Sequence, residues 1–320
     1  VPAYRSHLIG IAHKLGVHHE RGRATAIKPD GAGGIATLAI EGAGELAADL
    51  YVDCSGSGAA LLSELPRMEW IDWRAHFPAR GLAIAAPGPA IVALEDRATW
   101  TALGWRWEIG GRDGRQALLA VPAGATDEAI AAALGSPPTA IVPFAPGRAE
   151  APWVGNVIAL GTAAAEFEPL GGIAQDLAHR QLALLLELLP GRAVDPAERA
   201  EFNRRSALMA DRAADWLAAH YAAPAPTARF PALELSPELY RTLDQFTRRG
   251  RMPFFEEAPM LVQEFSALLL AIGVPSGEGP HAAAGAVSGD EAARAFEARA
   301  AAALQAAPAY TKWLSGLLAG

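Results

Sequence analysis

Apolar positions recur along this chain with two periods, and the change from one to the other divides it. Leu8, Ile11, Ala12 and Leu15 stand three and four residues apart, which predicts a helix over Tyr4–Leu15 with Gly16 placed as its C-cap. Val17–Glu20 and Ala24–Lys28 read as short strands. Pro29-Asp30-Gly31 and Gly33-Gly34 mark a turn, and Ile35–Glu41 alternates as a strand does. No helix separates these three strands, so antiparallel pairing is expected. Ala48–Cys54 follows as an apolar strand that opens into Ser55-Gly56-Ser57-Gly58.

The middle of the chain keeps the strand period. Gly81–Ala86, Ala90–Leu94, Trp100–Ile109 and Gln116–Val121 read as strands, and Trp105 and Trp107 share one face around Arg106. Gly110-Gly111-Arg112-Asp113-Gly114 is a hairpin turn. Asp127–Leu134 is a short helix, and Trp153–Leu160 is an apolar strand ending at Gly161. A helix is expected from near Gly172 to Leu189, stopped by Pro190-Gly191. Helical spacing then dominates: Ala197–Tyr221, Pro237–Arg249, Met260–Ile272, Ser288–Gln305 and Ala309–Leu318, with a turn over Pro224–Pro231. The alanine-rich stretch from Ala282 has Phe296, Leu304, Trp313 and Leu317 to bury. The expected fold class is α/β with a large antiparallel or mixed sheet in residues 1–195 and a mostly helical region over 196–320.

Composition narrows the function. Apolar residues make up 51% of the 320, so a large core is available and global disorder is excluded. A formal charge of -8 argues against nucleic-acid binding by bulk electrostatics, although a local basic groove stays open. A single cysteine excludes a disulfide framework and a multi-cysteine zinc site. The longest apolar runs, Leu182–Leu189 and Phe265–Gly273, are too short for a membrane span, and no basic-then-apolar leader is present, so no membrane contact and a cytoplasmic location are expected.

Two strand–glycine junctions are the sharpest candidate chemistry: Asp53-Cys54-Ser55-Gly56 and Gly161-Thr162-Ala163-Ala164. Glycine there admits either a close-lying cofactor or nothing more than a turn. No G-x-G-x-x-G follows a first strand, so these residues contain no dinucleotide fingerprint of their own. Cys54 has no local base and reads as a buried, inert thiol. His18-His19, His220 and His281 lack metal-ligand spacing. Glu166 and Glu168 suit either acid–base work or the holding of a loop or an arginine.

Taken in order, several segments resemble the flavin-dependent tryptophan halogenase family. They are Ala47–Ser55, ending in Asp-Cys-Ser-Gly; Ile71-Asp72-Trp73 with Phe77-Pro78; Gly104–Ile109 as Gly-Trp-x-Trp-x-Ile; Pro146-Gly147-Arg148; Trp153-Val154-Gly155-Asn156; Glu168-Pro169-Leu170; Phe202-Asn203; Asp215-Trp216-Leu217; and His220-Tyr221. The resemblance implies a flavin-monooxygenase-like fold, here without its N-terminal FAD-binding unit. Residues 1–195 would be a partial FAD-binding and mixed-sheet domain, and 196–320 the substrate side. It implies reduced FAD, oxygen and halide as reactants, a separate flavin reductase as partner, and an indole or other small aromatic substrate. Asp53, Ser55, Gly56, Gly161, Thr162, Ile173 and Ala174 would border the cofactor or halide. Trp105, Trp107, Glu168, Gly171 and Phe265 would border one substrate-side cavity.

The departures are as informative. The family's catalytic lysine has no counterpart in Lys14, Lys28 or Lys312, the only lysines present. The family's Glu-Pro-Leu-Glu-Ser-Thr is replaced by Glu168-Pro169-Leu170-Gly171-Gly172-Ile173, which puts glycine where the catalytic glutamate belongs. Glycine offers no side-chain proton donor or acceptor, so no catalytic residue is assigned. The chain is expected to be inactive by itself and to bind FAD weakly. A flavin hydroxylase and a degenerate binding relative stay open beside the halogenase reading.

Overall fold

Among the described residues, strands gather into four sheets around which the helices pack. The structure is a computed structural model that describes residues 2–66, 68–90, 95–111, 114–191, 193–278 and 289–318. The order begins α1 (Pro2–Lys14), β1 (Ala24–Pro29), β2 (Ile35–Ile40), β3 (Gly44–Leu46), β4 (Tyr51–Asp53), β5 (Trp70–Asp72), β6 (Ala79–Ala85), β7 (Arg97–Trp100), β8 (Trp105–Ile109) and β9 (Gln116–Pro122). It continues α2 (Asp127–Leu134), β10 (Pro138–Pro143), β11 (Gly147–Ala149), β12 (Trp153–Val154), β13 (Val157–Ala159), β14 (Ala165–Glu166), α3 (Ile173–Glu187) and α4 (Pro196–Ala219). The helices α5 (Pro224–Arg229), α6 (Pro237–Arg249), α7 (Val262–Ala271), α8 (Gly289–Ala306) and α9 (Tyr310–Leu318) close the chain.

The largest sheet is antiparallel, five-stranded, in the order β10-β6-β9-β8-β7. In β6 burial alternates along the strand, as it must when one face meets a core and the other does not. Helix α2 covers that core face with Ile130 and Leu134. Its start is fixed by the Thr126 hydroxyl, which accepts from the Ala129 amide, and its end by Gly135 at φ 86°. The sheet β12-β13-β4 is mixed: β12 and β13 are antiparallel, whereas β13 and β4 run parallel with Asp53 opposite Ala159. The largest core joins Trp73 and Trp153 to α3, α4, α6 and α7 through Leu177, Phe202, Leu217, Leu239 and Leu269. Asp195 and Ser236, with Pro196 and Pro237 behind them, cap α4 and α6. No helix among the described residues is long and apolar enough to cross a membrane.

Several sequence expectations are revised. Val17–Glu20 is not a strand; it is exposed and has no sheet partner among the described residues, and the third member of the first meander is β3, with Leu46 opposite Leu38. The Ala48–Cys54 strand is reduced to β4. Trp100–Ile109 is two strands, because Thr101 turns the chain: its amide and hydroxyl both bond the Gly104 carbonyl, at 2.9 and 2.7 Å. Trp153–Leu160 is also a hairpin, folded at Gly155 with φ 57°. Pro224–Pro231 is mostly helix α5, with proline at its start where no amide is needed. Residues 91–94 of the Ala90–Leu94 strand, Arg112 and Asp113 of the hairpin turn, His281, and the alanine-rich stretch up to Ser288 lie outside the described residues.

Candidate active site

The two strand–glycine junctions lie side by side. The parallel register of β4 and β13 brings their carboxyl ends together, and the Leu160 amide donates to the Asp53 carbonyl at 3.0 Å. A Cβ on Gly56 would stand 3.9 Å from Thr162 Oγ1. Asp53 is buried and organises the first loop. Its Oδ1 accepts from the Ser55 amide and hydroxyl at 3.0 and 2.6 Å, and its Oδ2 from the Leu61 and Leu62 amides at 2.8 and 3.0 Å. Burial opposes ionisation, yet these hydrogen bonds together hold the carboxyl below its usual range. Ser57 donates to Glu166 Oε1 at 2.6 Å, and the Ala145 amide donates to Oε2 at 3.0 Å, so Glu166 clamps the same loop.

The second junction is held from α3. Gln181, wholly buried, accepts from the Gly161 amide at 2.8 Å and donates to Ser206 Oγ at 2.9 Å. Its signal in the sequence is a polar residue on the apolar stripe Leu177, Gln181, Leu184, Leu185. In front of both junctions is a cavity of about 620 Å³, whose lining includes Val52, Cys54, Trp107, Leu160, Gly161, Thr162, Pro169, Gly172, Ile173, Ala174 and His179. Cys54 is therefore exposed, not buried: alternation along β4 turns Tyr51 and Asp53 inward and Val52 and Cys54 outward. Partial desolvation and the neighbouring Asp53 push its thiol up, which fits an unreactive cysteine. Helix α3 starts beneath the cavity. Gly172, at φ 67°, supplies no side-chain cap; the Ile173 amide makes only a long hydrogen bond, 3.4 Å, to the Leu170 carbonyl, and the Ala174 amide meets no capping side chain.

This arrangement matches a known family. The tryptophan halogenase family matches residues 2–287. The chain belongs to the tryptophan halogenase family. Tryptophan 7-halogenase RebH of Lentzea aerocolonigenes is 27% identical over 222 residues, covering 65% of this chain and 42% of RebH. Tryptophan 7-halogenase KtzQ of Kutzneria sp. (strain 744) is 29% identical over 221 residues, with 65% and 42% covered. This chain thus aligns with less than half the length of these curated relatives. Among solved structures, BrvH, a flavin-dependent halogenase from Brevundimonas sp. BAL3, superposes with a TM-score of 0.87 at 23% identity over 98% of this chain and 68% of that one. Xcc4156, a flavin-dependent halogenase from Xanthomonas campestris, gives 0.87 at 22% identity, over 98% and 66%.

The remaining residues singled out by the halogenase motifs divide between surroundings. Trp107 lines the cavity in front of the junctions. Trp105, two residues earlier on the same face of β8, packs edge-on against Trp100 at 5.4 Å and His220 at 5.6 Å. Glu168 is wholly buried. Tyr221 Oη donates to its Oε2 at 2.6 Å, and among the described residues no donor is aligned on Oε1, although the Ala79 amide lies near the carboxylate. Burial pushes this carboxyl up to about 7, against the pull of Tyr221, the Ala79 amide and Arg80. Gly171 is exposed at φ 63°, and a Cβ there would stand 3.2 Å from Trp216 Cη2. Phe265 lies elsewhere, in a second cavity of about 120 Å³ with Arg212, Asp215, Phe255 and Met260. Of these two cavities, Trp107 lines the first and Phe265 the second.

Proposed function

We propose that this chain carries the flavin-facing and substrate-facing residues of a flavin-dependent halogenase whose substrate is an indole or another small aromatic. The observation that carries the reading is the cavity at the paired junctions. Its walls are almost uncharged, its volume of about 620 Å³ exceeds that of a tricyclic ring, and both Trp107 and the start of α3 line it. Those residues fit a flavin ring and a halide. Gly161 and Thr162 would approach the ring, the amides of Ile173 and Ala174 would donate to the anion, and Trp107 would close one face. Reduced FAD, with dioxygen and halide, would supply hypohalous acid there. Asp53, Ser55 and Gly56 would act indirectly: with Glu166 they hold the loop that would border the ring. A separate flavin reductase is the inferred source of reduced FAD, and a cytoplasmic location is inferred with it.

The 320 residues are inferred to bind FAD weakly, because they contain no G-x-G-x-x-G to cradle its pyrophosphate. Lys14, Lys28 and Lys312 are all exposed on α1, β1 and α9, and none lines the cavities described here. Gly171 favours a second reading, a relative that hydroxylates or only binds its aromatic, since no carboxylate stands at that position. Two measurements test the proposal. Titration calorimetry with FAD should give at best micromolar affinity, and a submicromolar value would refute the weak-binding inference. A fusion carrying a relative's nucleotide-binding unit, given reduced FAD, oxygen, bromide and an indole panel, should form brominated product in the Gly171→Glu form. Hydroxylated product from both forms, independent of halide, would establish the second reading instead.

A further inference from the structure

An arginine with almost no partners lines the second cavity. The Arg212 side chain is only 18% exposed, and its Nε is buried without a hydrogen bond. Its ion pair among the described residues, Nη1 to Asp215 Oδ2, is long at 3.5 Å. A guanidinium is always charged and carries five N–H donors, so taking it out of water without acceptors is costly. Phe255 packs against one face, with Cζ 4.5 Å from the ring centroid. Stacking of that kind fixes the guanidinium plane and leaves its Nη groups to donate within the plane.

The space in front of Arg212 is otherwise apolar. Met252, Phe255, Met260, Val262 and Phe265 line it, and Arg212 and Asp215 are its charged residues. Its volume of about 120 Å³ suits one six-membered ring, since an apolar cavity of about 150 Å³ takes benzene. Phe254, also in the lining and 94% exposed, marks its mouth. Arg212 and Asp215 also line a larger cavity of about 390 Å³, but there Arg148 is paired with Asp211, and Glu238 adds a third carboxylate. The smaller cavity is therefore the better place for an anion. Three arginines tie the segment that walls it to α3 and α4. Arg180 donates to the Ala258 and Pro259 carbonyls at 3.4 and 3.0 Å, Arg204 pairs with Glu256 at 2.7 Å, and Arg205 pairs with Glu257. Glu257 is held at φ 56°, a conformation that persists only where its surroundings impose it.

We propose that this cavity binds an aromatic monocarboxylate, with its ring among the apolar walls and its carboxylate on the Nη groups of Arg212, and that it rejects ligands carrying an ammonium. The carboxylate supplies the acceptors that the guanidinium lacks, in the geometry that a planar fork matches. An ammonium would find only Asp215 to bond. One oxygen of that residue is taken by Ser236 and the other faces Arg212, whose charge repels a second cation. This cavity and the flavin-facing one share no lining residue, so the proposal does not depend on flavin binding.

The test uses the full 320-residue chain with ¹³C-methyl methionine. Met252 and Met260 line the cavity, whereas Met68 packs in a different core and serves as the reference. Phenylacetate, phenylacetamide and phenylalanine are titrated separately. Phenylacetate should move the Met252 and Met260 resonances, leave Met68 in place, and bind about tenfold more tightly than the other two, the worth of a charge-assisted hydrogen bond. Arg212→Gln should reduce phenylacetate to the affinity of phenylacetamide. Ala258→Phe, which fills the cavity without touching the charge, should weaken both. Near-UV circular dichroism checks that the variants fold. If Arg212→Gln does not, the three ligands on the wild-type chain and Ala258→Phe decide. Equal affinity for phenylacetate and phenylacetamide, tighter binding of phenylalanine, unmoved Met252 and Met260 resonances, or no binding at millimolar concentration would overturn the proposal. Those outcomes leave the flavin reading standing, because it rests on the other cavity and is tested by FAD.

Discussion

Two buried carboxylates, Asp53 and Glu168, respond to pH with opposite signs because their surroundings differ. Asp53 is ringed by donors and held below its usual range. Its contribution is complete above the unfolded value near 3.8 and is lost as pH falls through the lower folded value. Asp53→Ala should cost about 2–4 kcal/mol at neutral pH in urea unfolding, since it strands two loop amides and the Ser55 pair. Glu168 is raised to about 7 from 4.5. Its contribution is complete below pH 4.5 and is lost as pH rises through about 7, amounting to about 3 kcal/mol. Asp215, raised to about 6 by burial, slopes in the same direction, so the informative quantity is the difference between wild type and Glu168→Gln. Unfolding free energies measured from pH 4 to 8 should diverge in favour of the Glu168→Gln variant as pH rises. The sequence marks both acids as candidates but not their charge states. Those depend on what the fold puts around them: burial against the Tyr221 hydrogen bond for Glu168, and the Ser55, Leu61 and Leu62 donors for Asp53.

At the level of elements, what the sequence announces locally is what it announces well. Helices α2 and α6 end where Thr126, Gly135, Ser236 and Gly250 stand, because a cap is a property of adjacent residues. The two split strands are illegible for the opposite reason. Trp153–Leu160 is apolar but for Gly155-Asn156, and what folds it is remote: Asn203 on α4 accepts from the Trp153 amide at 2.7 Å and donates to its carbonyl at 2.9 Å. The Asn156 side chain likewise pairs with the backbone of Ile35, at 2.9 Å in each direction. The short strands β5, β11 and β14 escape sequence reading because three or fewer residues carry no period. The hairpin at Gly155 supplies a sharp prediction. With φ at 57° and an added Cβ only 2.7 Å from the Gly33 carbonyl oxygen, Gly155→Ala meets backbone on both counts. It should cost more than about 2 kcal/mol in thermal or urea unfolding. Gly172→Ala, with no atom within 4 Å but φ at 67°, should cost only about 1 kcal/mol.

Across the whole molecule the least satisfied surface is the one beside the cavity. Parallel strands are normally flanked and covered, yet β4 is the edge of its sheet, paired only with β13 among the described residues. Val52 on that edge is 43% exposed, α3 presents Leu182 and Leu186 to solvent with exposed Leu189 just past its end, and Leu182 lines the same cavity as Val52. An open edge with apolar side chains beside it is a template for pairing with another copy. The net charge of -8 opposes this only weakly at physiological salt, where a charge is screened beyond about 8 Å. The chain should therefore self-associate at micromolar concentration, in sedimentation velocity or light scattering. Val52→Lys should shift it toward monomer by placing a charge on the edge that a docking strand would have to desolvate. Val17→Lys is the matched control: Val17 is 54% exposed but lies on no strand, so the same gain of charge there should leave association unchanged. An equal effect from both substitutions would mean that net charge, not the β4 edge, governs association. No effect from either would move the contact away from this face, toward the exposed apolar residues of α8 and α9, Phe296, Leu304, Trp313 and Leu317.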